Sequence, residues 1–227
     1  MSERRPITHV IFDMDGVLLA TEPHYTKASL EVCRRYGFEF TMAHKSAMLG
    51  RRALESAQWL VDALQLPMTA EEFLLEREPL LDALFLTAEP MPGAVELTRY
   101  LEANAIPHAV ASSSSRRTFE LKTQRHAEWF ARFTTCVLGD DPEVHHGKPA
   151  PDIFLVAAKR MGAAPEACLV FEDAPAGIEA ALAAGMHVVS VPDPAIPAEF
   201  PPVDEILASL GDFRPELWGL PPRLATP

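Results

Sequence analysis

Short apolar runs, spaced out by helical stretches, constrain this chain most. Val10-Ile11-Phe12, His108-Ala109-Val110-Ala111, Cys136-Val137-Leu138, Leu169-Val170-Phe171 and His187-Val188-Val189-Ser190-Val191 are too short for helices and show little polar alternation, as expected of strands buried on both faces. Between them, residues 93–104, 116–130, 152–161 and 176–184 read as helices, with Gly162 and Gly185 as C-terminal stops. Repeated strand–helix alternation predicts an α/β fold with a Rossmann-like parallel sheet, covered on both faces, that binds ligands at the carboxyl ends of its strands.

One stretch breaks that rhythm. After the first strand the chain reads as helical for some seventy residues. Thr26 to Tyr36 ends at Gly37, and Ala53 to Leu66 stops before Pro67. Thr69 and Glu72 form a capping box for a helix holding Phe73, Leu74, Leu80, Leu81 and Leu84, in which Pro79 predicts a kink or a break. A helical block set between a first and a second strand is the mark of an inserted cap. The expected division is an α/β core of residues 1–19 and 90–227 with a small all-helical cap of residues 20–89. The proline-rich tail, Pro192 to Pro227, is expected to wrap the surface and carry one short helix near Ile206 to Leu210.

A formal charge of −12 argues against a nucleic-acid polymer as partner, because phosphate backbones are held mainly by basic surface. It leaves open a small phosphate, for which one metal ion and one or two cations can set the local potential. No apolar stretch approaches the roughly 18 residues of a membrane span, and Met1 to Arg5 leads into a strand without a signal-peptide apolar region. Cys33, Cys136 and Cys168 have no paired spacing and read as reduced, buried thiols. A cytoplasmic monomer, with no membrane partner, is expected.

The chemistry gathers at strand ends. Asp13 and Asp15 close the first apolar run, and Glu172 and Asp173 close a later one. Carboxylates converging on the edge of an apolar sheet call for a cation, and an oxygen-rich site of this kind suits Mg²⁺. Asp13, fixed at a strand end beside a metal, is placed to attack phosphorus as a nucleophile. Asp15 follows it by two residues and emerges on the same side, placed to protonate the leaving alcohol and then to deprotonate water. Ser112 ends a strand and offers a hydroxyl to phosphoryl oxygens, with Ser113 and Ser114 beside it as further substrate contacts. Lys148, between Gly147 and Pro149 on a stiff loop, suits a fixed cation for transition-state charge.

In order and spacing, Asp13-Met14-Asp15-Gly16-Val17, Ser112, Lys148-Pro149 and Glu172-Asp173 resemble the four motifs of the haloacid dehalogenase (HAD) superfamily of phosphohydrolases, over essentially the whole chain. The helical insert resembles the small cap of its phosphoglucomutase-like branch. The resemblance implies Mg²⁺ held by Asp13, the main-chain carbonyl of Asp15 and Asp173, with Glu172 bound directly or through water. Met48 to Glu55, Leu121-Lys122-Thr123, Gly139-Asp140-Asp141-Pro142-Glu143-Val144 and Phe171 to Pro175 are similar to the subfamily of pseudouridine-5′-phosphatase and the plant and fungal glycerol-phosphatase-like proteins. The tail Asp212 to Leu220 resembles the plant type. One position departs: Ala20 stands where such proteins commonly carry an aspartate, at the hinge into the cap.

The implied activity is Mg²⁺-dependent hydrolysis of a small phosphomonoester (pseudouridine 5′-phosphate or a related nucleotide, polyol or sugar phosphate) through an aspartyl phosphate. Gly50 and Arg51, between cap helices, and His24, beside the hinge, are the candidates for recognising the leaving group. A phosphosugar mutase of the β-phosphoglucomutase type is the alternative. A dehalogenase is disfavoured because it does not call for the second aspartate, and a non-catalytic binding relative has only Ala20 in its support.

Overall fold

The computed structural model describes residues 6–48, 53–194 and 201–223. The chain divides into two compact units, one of Met1–Ala20 with Glu89–Pro227 and one of Thr21–Ala88.

Strand β1 (His9–Phe12) opens the larger unit. The smaller unit follows, with α1 (Glu22–Arg35), α2 (Met42–Met48), α3 (Ala53–Leu64) and α4 (Ala70–Phe85). Back in the larger unit come α5 (Ala94–Ala103), β2 (His108–Ser112), α6 (Arg116–Thr123), α7 (Ala127–Phe130) and β3 (Thr135–Leu138). The chain continues through α8 (Asp152–Met161), β4 (Cys168–Glu172), α9 (Pro175–Ala183), β5 (His187–Ser190) and β6 (Glu205–Ile206). Among the described residues the strands of this sheet all pair in parallel, in the order β3-β2-β1-β4-β5-β6, with β1 in its interior.

The two-residue period of a strand sends alternate side chains to opposite faces. Val10, Phe12, Val110, Leu169, Phe171 and Val189 enter one apolar layer with Leu97, Leu101, Phe119 and Phe213. Ile11, Ala109, Ala111, Val170 and Val188 enter the other, with Phe154 of α8 and Ile178 and Ala181 of α9. Phe12 stacks on Phe171 with ring centres 5.1 Å apart, and Phe213 meets Phe171 edge-on at 4.9 Å. The helical unit has its own core, in which Val32 and Cys33 pack with Phe40, Ala57, Leu60, Ala70 and Phe73.

Local structure departs from the sequence reading in several places. Residues 116–130 are not one helix: α6 gives way to a 3₁₀ turn, Gln124–His126, before α7 begins. The Thr123 hydroxyl donates to the Phe119 carbonyl four residues back, and the chain leaves helical geometry at His126, where the backbone turns out to φ −121°, ψ 20°. α1 starts at Glu22, earlier than Thr26, with Pro23 tolerated in its first turn. α3 stops at Leu64, where Gln65 takes a left-handed φ of 52° and the Leu66 N–H returns to the Val61 carbonyl. α4 runs through Pro79 without a break; the carbonyl that loses its partner belongs to Leu75, which is exposed.

The tail differs most. Residues 206–210 form no α-helix: Glu205–Ile206 pairs with β5, and 3₁₀ turns follow at Leu210–Asp212 and Pro215–Trp218. Rather than lying on the surface, Leu207, Leu210, Phe213, Trp218 and Leu220 complete one apolar layer of the sheet. Prolines end regular elements but do not prevent the side chains between them from being buried. Phe213→Ala should therefore destabilise the protein by about 3–5 kcal/mol, read as a lowered urea midpoint.

Candidate active site

The register of the central strands places the acidic groups. Phe12 pairs with Val110 on one side and Phe171 on the other, so Asp13 and Glu172 leave the sheet side by side at its carboxyl edge. The Asp13 N–H donates to the Phe171 carbonyl at 2.9 Å, extending the ladder by one residue. Beyond it the loop turns back on itself: the N–H groups of Leu18 and Leu19 both donate to the Met14 carbonyl, and Met14, Val17, Leu18 and Leu19 are fully buried. Gly16 carries the turn at φ +80°. A Cβ there would lie 2.0 Å from Asp173 Oδ2, so only glycine lets the loop pass this close to that carboxylate.

Lys148 reaches into the same edge. Its Nζ donates to Asp13 Oδ1 at 2.5 Å, to Glu172 Oε1 at 2.7 Å and to the Ala111 carbonyl at 3.2 Å, and lies 4.9 Å from the centre of the Phe154 ring. Glu172 gives its other oxygen to the N–H groups of Asp173 and Ala174, at 2.9 and 3.0 Å. This buried carboxylate is thus held on both oxygens. Gly177 makes room for it, since a Cβ there would fall 1.6 Å from Oε1. Burial pushes the Asp13 carboxyl up to about 7, against the pull of Lys148 and with help from Glu172 and Asp15. Burial also works against the Lys148 ammonium, but Asp13 and Glu172 outweigh it and hold its pKa above the ordinary lysine value.

A second charged group stands beside the first. Asp15 Oδ1 accepts from Lys122 Nζ at 2.6 Å, and Asp15 Oδ2 accepts from the Ser114 hydroxyl at 3.2 Å. Lys122 also donates to Ser114 Oγ at 2.9 Å. The buried Ser112 Oγ accepts from the Ser114 N–H at 3.2 Å, whereas Ser113 is exposed. Sequence reasoning gave Lys122 no place in the site. The available signal was helical spacing: Phe119, Lys122 and Thr123 are the buried residues of α6, at the i, i+3, i+4 positions of one inward face.

The strand ends bring together Asp13, Asp15, Ser112, Ser114, Lys148, Glu172 and Asp173. Gly50 and Arg51 lie outside the described residues. His24 belongs to the helical unit, where its ring meets Phe85 edge-on at 6.4 Å. The acidic run after β3 is structural in its contacts. Asp140 accepts the Arg116 N–H at the start of α6, while Asp141 takes Arg160 in a two-point pair at 2.7 and 2.8 Å that holds its carboxyl below the usual range.

The donor set fits a hard divalent cation. Asp13, Asp15, Glu172 and Asp173 bring four formal negative charges against two positive ones from Lys122 and Lys148, leaving two to balance. Among the described residues no group of three or more His, Cys, Asp or Glu side chains forms a metal cage. Mg²⁺ does not require one, because it is commonly bound through one or two carboxylates and keeps several waters. With both Glu172 oxygens already engaged, the carboxylates of Asp13 and Asp173 and the main-chain carbonyl of Asp15 are the groups that fit it.

A family model of haloacid dehalogenase-like hydrolases matches residues 7–185. Among curated proteins, (DL)-glycerol-3-phosphatase 2 of Arabidopsis thaliana is 48% identical over 96% of this chain and 94% of its own length. A protein of Drosophila melanogaster named as a probable pseudouridine-5'-phosphatase is 45% identical, with 96% of each chain covered. Among solved structures, a HAD family hydrolase from Deinococcus radiodurans R1, with bound phosphate and sodium, superposes with a TM-score of 0.78 at 27% identity, covering 96% of this chain and 99% of that one. The chain belongs to the haloacid dehalogenase-like hydrolase family, and it is an enzyme, a hydrolase.

The raised Asp13 pKa has a sign that can be measured. Between the unfolded value of 3.8 and about 7 the folded protein binds the extra proton, so this group's contribution to stability falls as pH rises through that window. Lys148 titrates far above it and adds no slope there. In EDTA, the urea midpoint of the wild type relative to that of Asp13→Asn should decline from pH 4 to pH 7; a constant difference would contradict this account.

Proposed function

We propose that this chain is a Mg²⁺-dependent phosphatase of a small phosphomonoester that works through an aspartyl phosphate on Asp13. The observation that carries the reading is the cluster of Asp13, Lys148 and Glu172 at the carboxyl edge of the sheet. In this reading Asp13, the Asp15 carbonyl and Asp173 would hold the ion, which would supply charge neutralisation to the phosphoryl group. Asp13 forms a bond to phosphorus as the bond to the leaving oxygen breaks, and that oxygen takes the proton of the Asp15 carboxyl. Water then attacks the phosphorus as its bond to the Asp13 oxygen breaks, giving its proton to Asp15, releasing phosphate and restoring both carboxyl groups to their starting forms. Lys148 is a fixed cation beside the transferring group, kept in place by Glu172, and Ser112 and Ser114 face the phosphoryl oxygens.

The helical unit, Thr21–Ala88, is read as the cap that closes over the leaving group. The relatives at 45–48% identity favour a polyol or nucleoside monophosphate over a phosphosugar mutase, and glycerol 3-phosphate and pseudouridine 5′-phosphate are the first candidates. Among the described residues no helix is long and apolar enough to cross a membrane. The compartment we propose is the reducing cytoplasm, supported by three free thiols, Cys33, Cys136 and Cys168, whose pKa values burial raises to about 11.

Phosphate release should be measured from pseudouridine 5′-phosphate, uridine 5′-phosphate, glycerol 3-phosphate, 2-deoxyglucose 6-phosphate and β-glucose 1-phosphate, each with Mg²⁺ and with EDTA. The expected result is metal-dependent release from a preferred ester, reduced at least about 10³-fold in Asp13→Asn. Conversion of the glucose ester to another sugar phosphate, without release, would point to the mutase.

A further inference from the structure

Lys122 is a buried cation that the strand-end residues do not account for. Its side chain has no exposed surface, and an ammonium removed from water is tolerated only when it is paired and hydrogen-bonded. Both requirements are met inside the site, by Asp15 Oδ1 and Ser114 Oγ, and the Ser114 hydroxyl closes the ring onto Asp15 Oδ2. Each oxygen of the Asp15 carboxylate therefore has a donor, and both donors come from the short segment between β2 and the end of α6.

That segment is itself anchored. Ser115 caps α6 by accepting the Thr118 N–H. Asp140 binds the Arg116 N–H with both oxygens, and the Gly139 N–H donates to the Ser114 carbonyl at 2.9 Å, tying the helix start to the end of β3. Asp15 sits on a loop, and its side chain is 24% exposed. Rotation about its two side-chain bonds would otherwise move its oxygens by more than the precision that proton transfer demands.

We propose that Lys122 is a positioning residue which, with Ser114, aims the Asp15 carboxylate at the leaving oxygen; the assignment rests on the phosphatase reading above. An alkyl leaving group needs the Asp15 proton, whereas p-nitrophenolate departs without one. The test compares kcat/KM in Lys122→Met for p-nitrophenyl phosphate and for whichever alkyl ester of the panel is turned over fastest. The expected loss is on the order of 10²-fold for the alkyl ester, carried by kcat with little change in KM, and less than about threefold for p-nitrophenyl phosphate. Equal losses for the two esters, or no loss for the alkyl ester, would overturn the proposal.

Lys122→Arg keeps the charge but moves it, and should show the same selectivity with a smaller loss; it serves if the Met variant does not fold. A crystal structure of the metal-free variant supplies a readout independent of turnover. The Asp15 carboxylate should have rotated away from Ser114, and an unmoved carboxylate would overturn the proposal. If the wild type releases no phosphate from any ester, it is the phosphatase reading that fails, and the position of Asp15 in the variant still decides the role of Lys122.

Discussion

One ammonium group organises the carboxyl edge of this protein's sheet. Lys148 Nζ bridges two carboxylates that leave adjacent strands, Asp13 from β1 and Glu172 from β4, and also binds the Ala111 carbonyl near the end of β2. Without it, two buried carboxylates would face each other across a strand gap of about 4.8 Å, where like charges are costly. The cation relieves that repulsion, and its three partners lie on or at the ends of three adjacent interior strands, β2, β1 and β4. The site is thus tied to interior strands that are paired on both sides.

Charge compensation continues outward by the same logic. Lys122 does for Asp15 what Lys148 does for Asp13, but from a helix rather than a loop, so the two carboxylates are held by independent pieces of chain. Asp13 is buried and hemmed in; Asp15 keeps an exposed side. That difference suits a group that attacks from a fixed position paired with one that exchanges protons with what enters and leaves.

Much of this arrangement was legible in the residue order. Apolar runs that end in Asp13, Ser112 and Glu172 reveal both the strands and their shared edge, because parallel strands buried on both faces leave few other sequence patterns. Lys122 was hidden for the converse reason: a single lysine on a helix reads as a solvated residue until the partner across the site, more than a hundred positions away, is known. The 3₁₀ turn at Gln124–His126 interrupts a stretch whose residue pattern reads as one helix, a change too local for periodicity to register. In the tail, prolines signalled an irregular backbone correctly and obscured the burial of Phe213 and Trp218, which is a tertiary fact.

That tail sets the order in which the molecule can be completed. One apolar layer of the sheet is closed by Leu207, Leu210, Phe213, Trp218 and Leu220, so every strand from β1 to β5 leaves the ribosome before the residues that cover it. A nascent chain arrested before residue 207 holds the whole chemical edge of the site yet presents an open face of phenylalanine, valine and leucine to the cell. The helical unit, Thr21–Ala88, has its own core and emerges whole long before then. Synthesis therefore delivers the whole insert well before the residues that complete one apolar layer of its host.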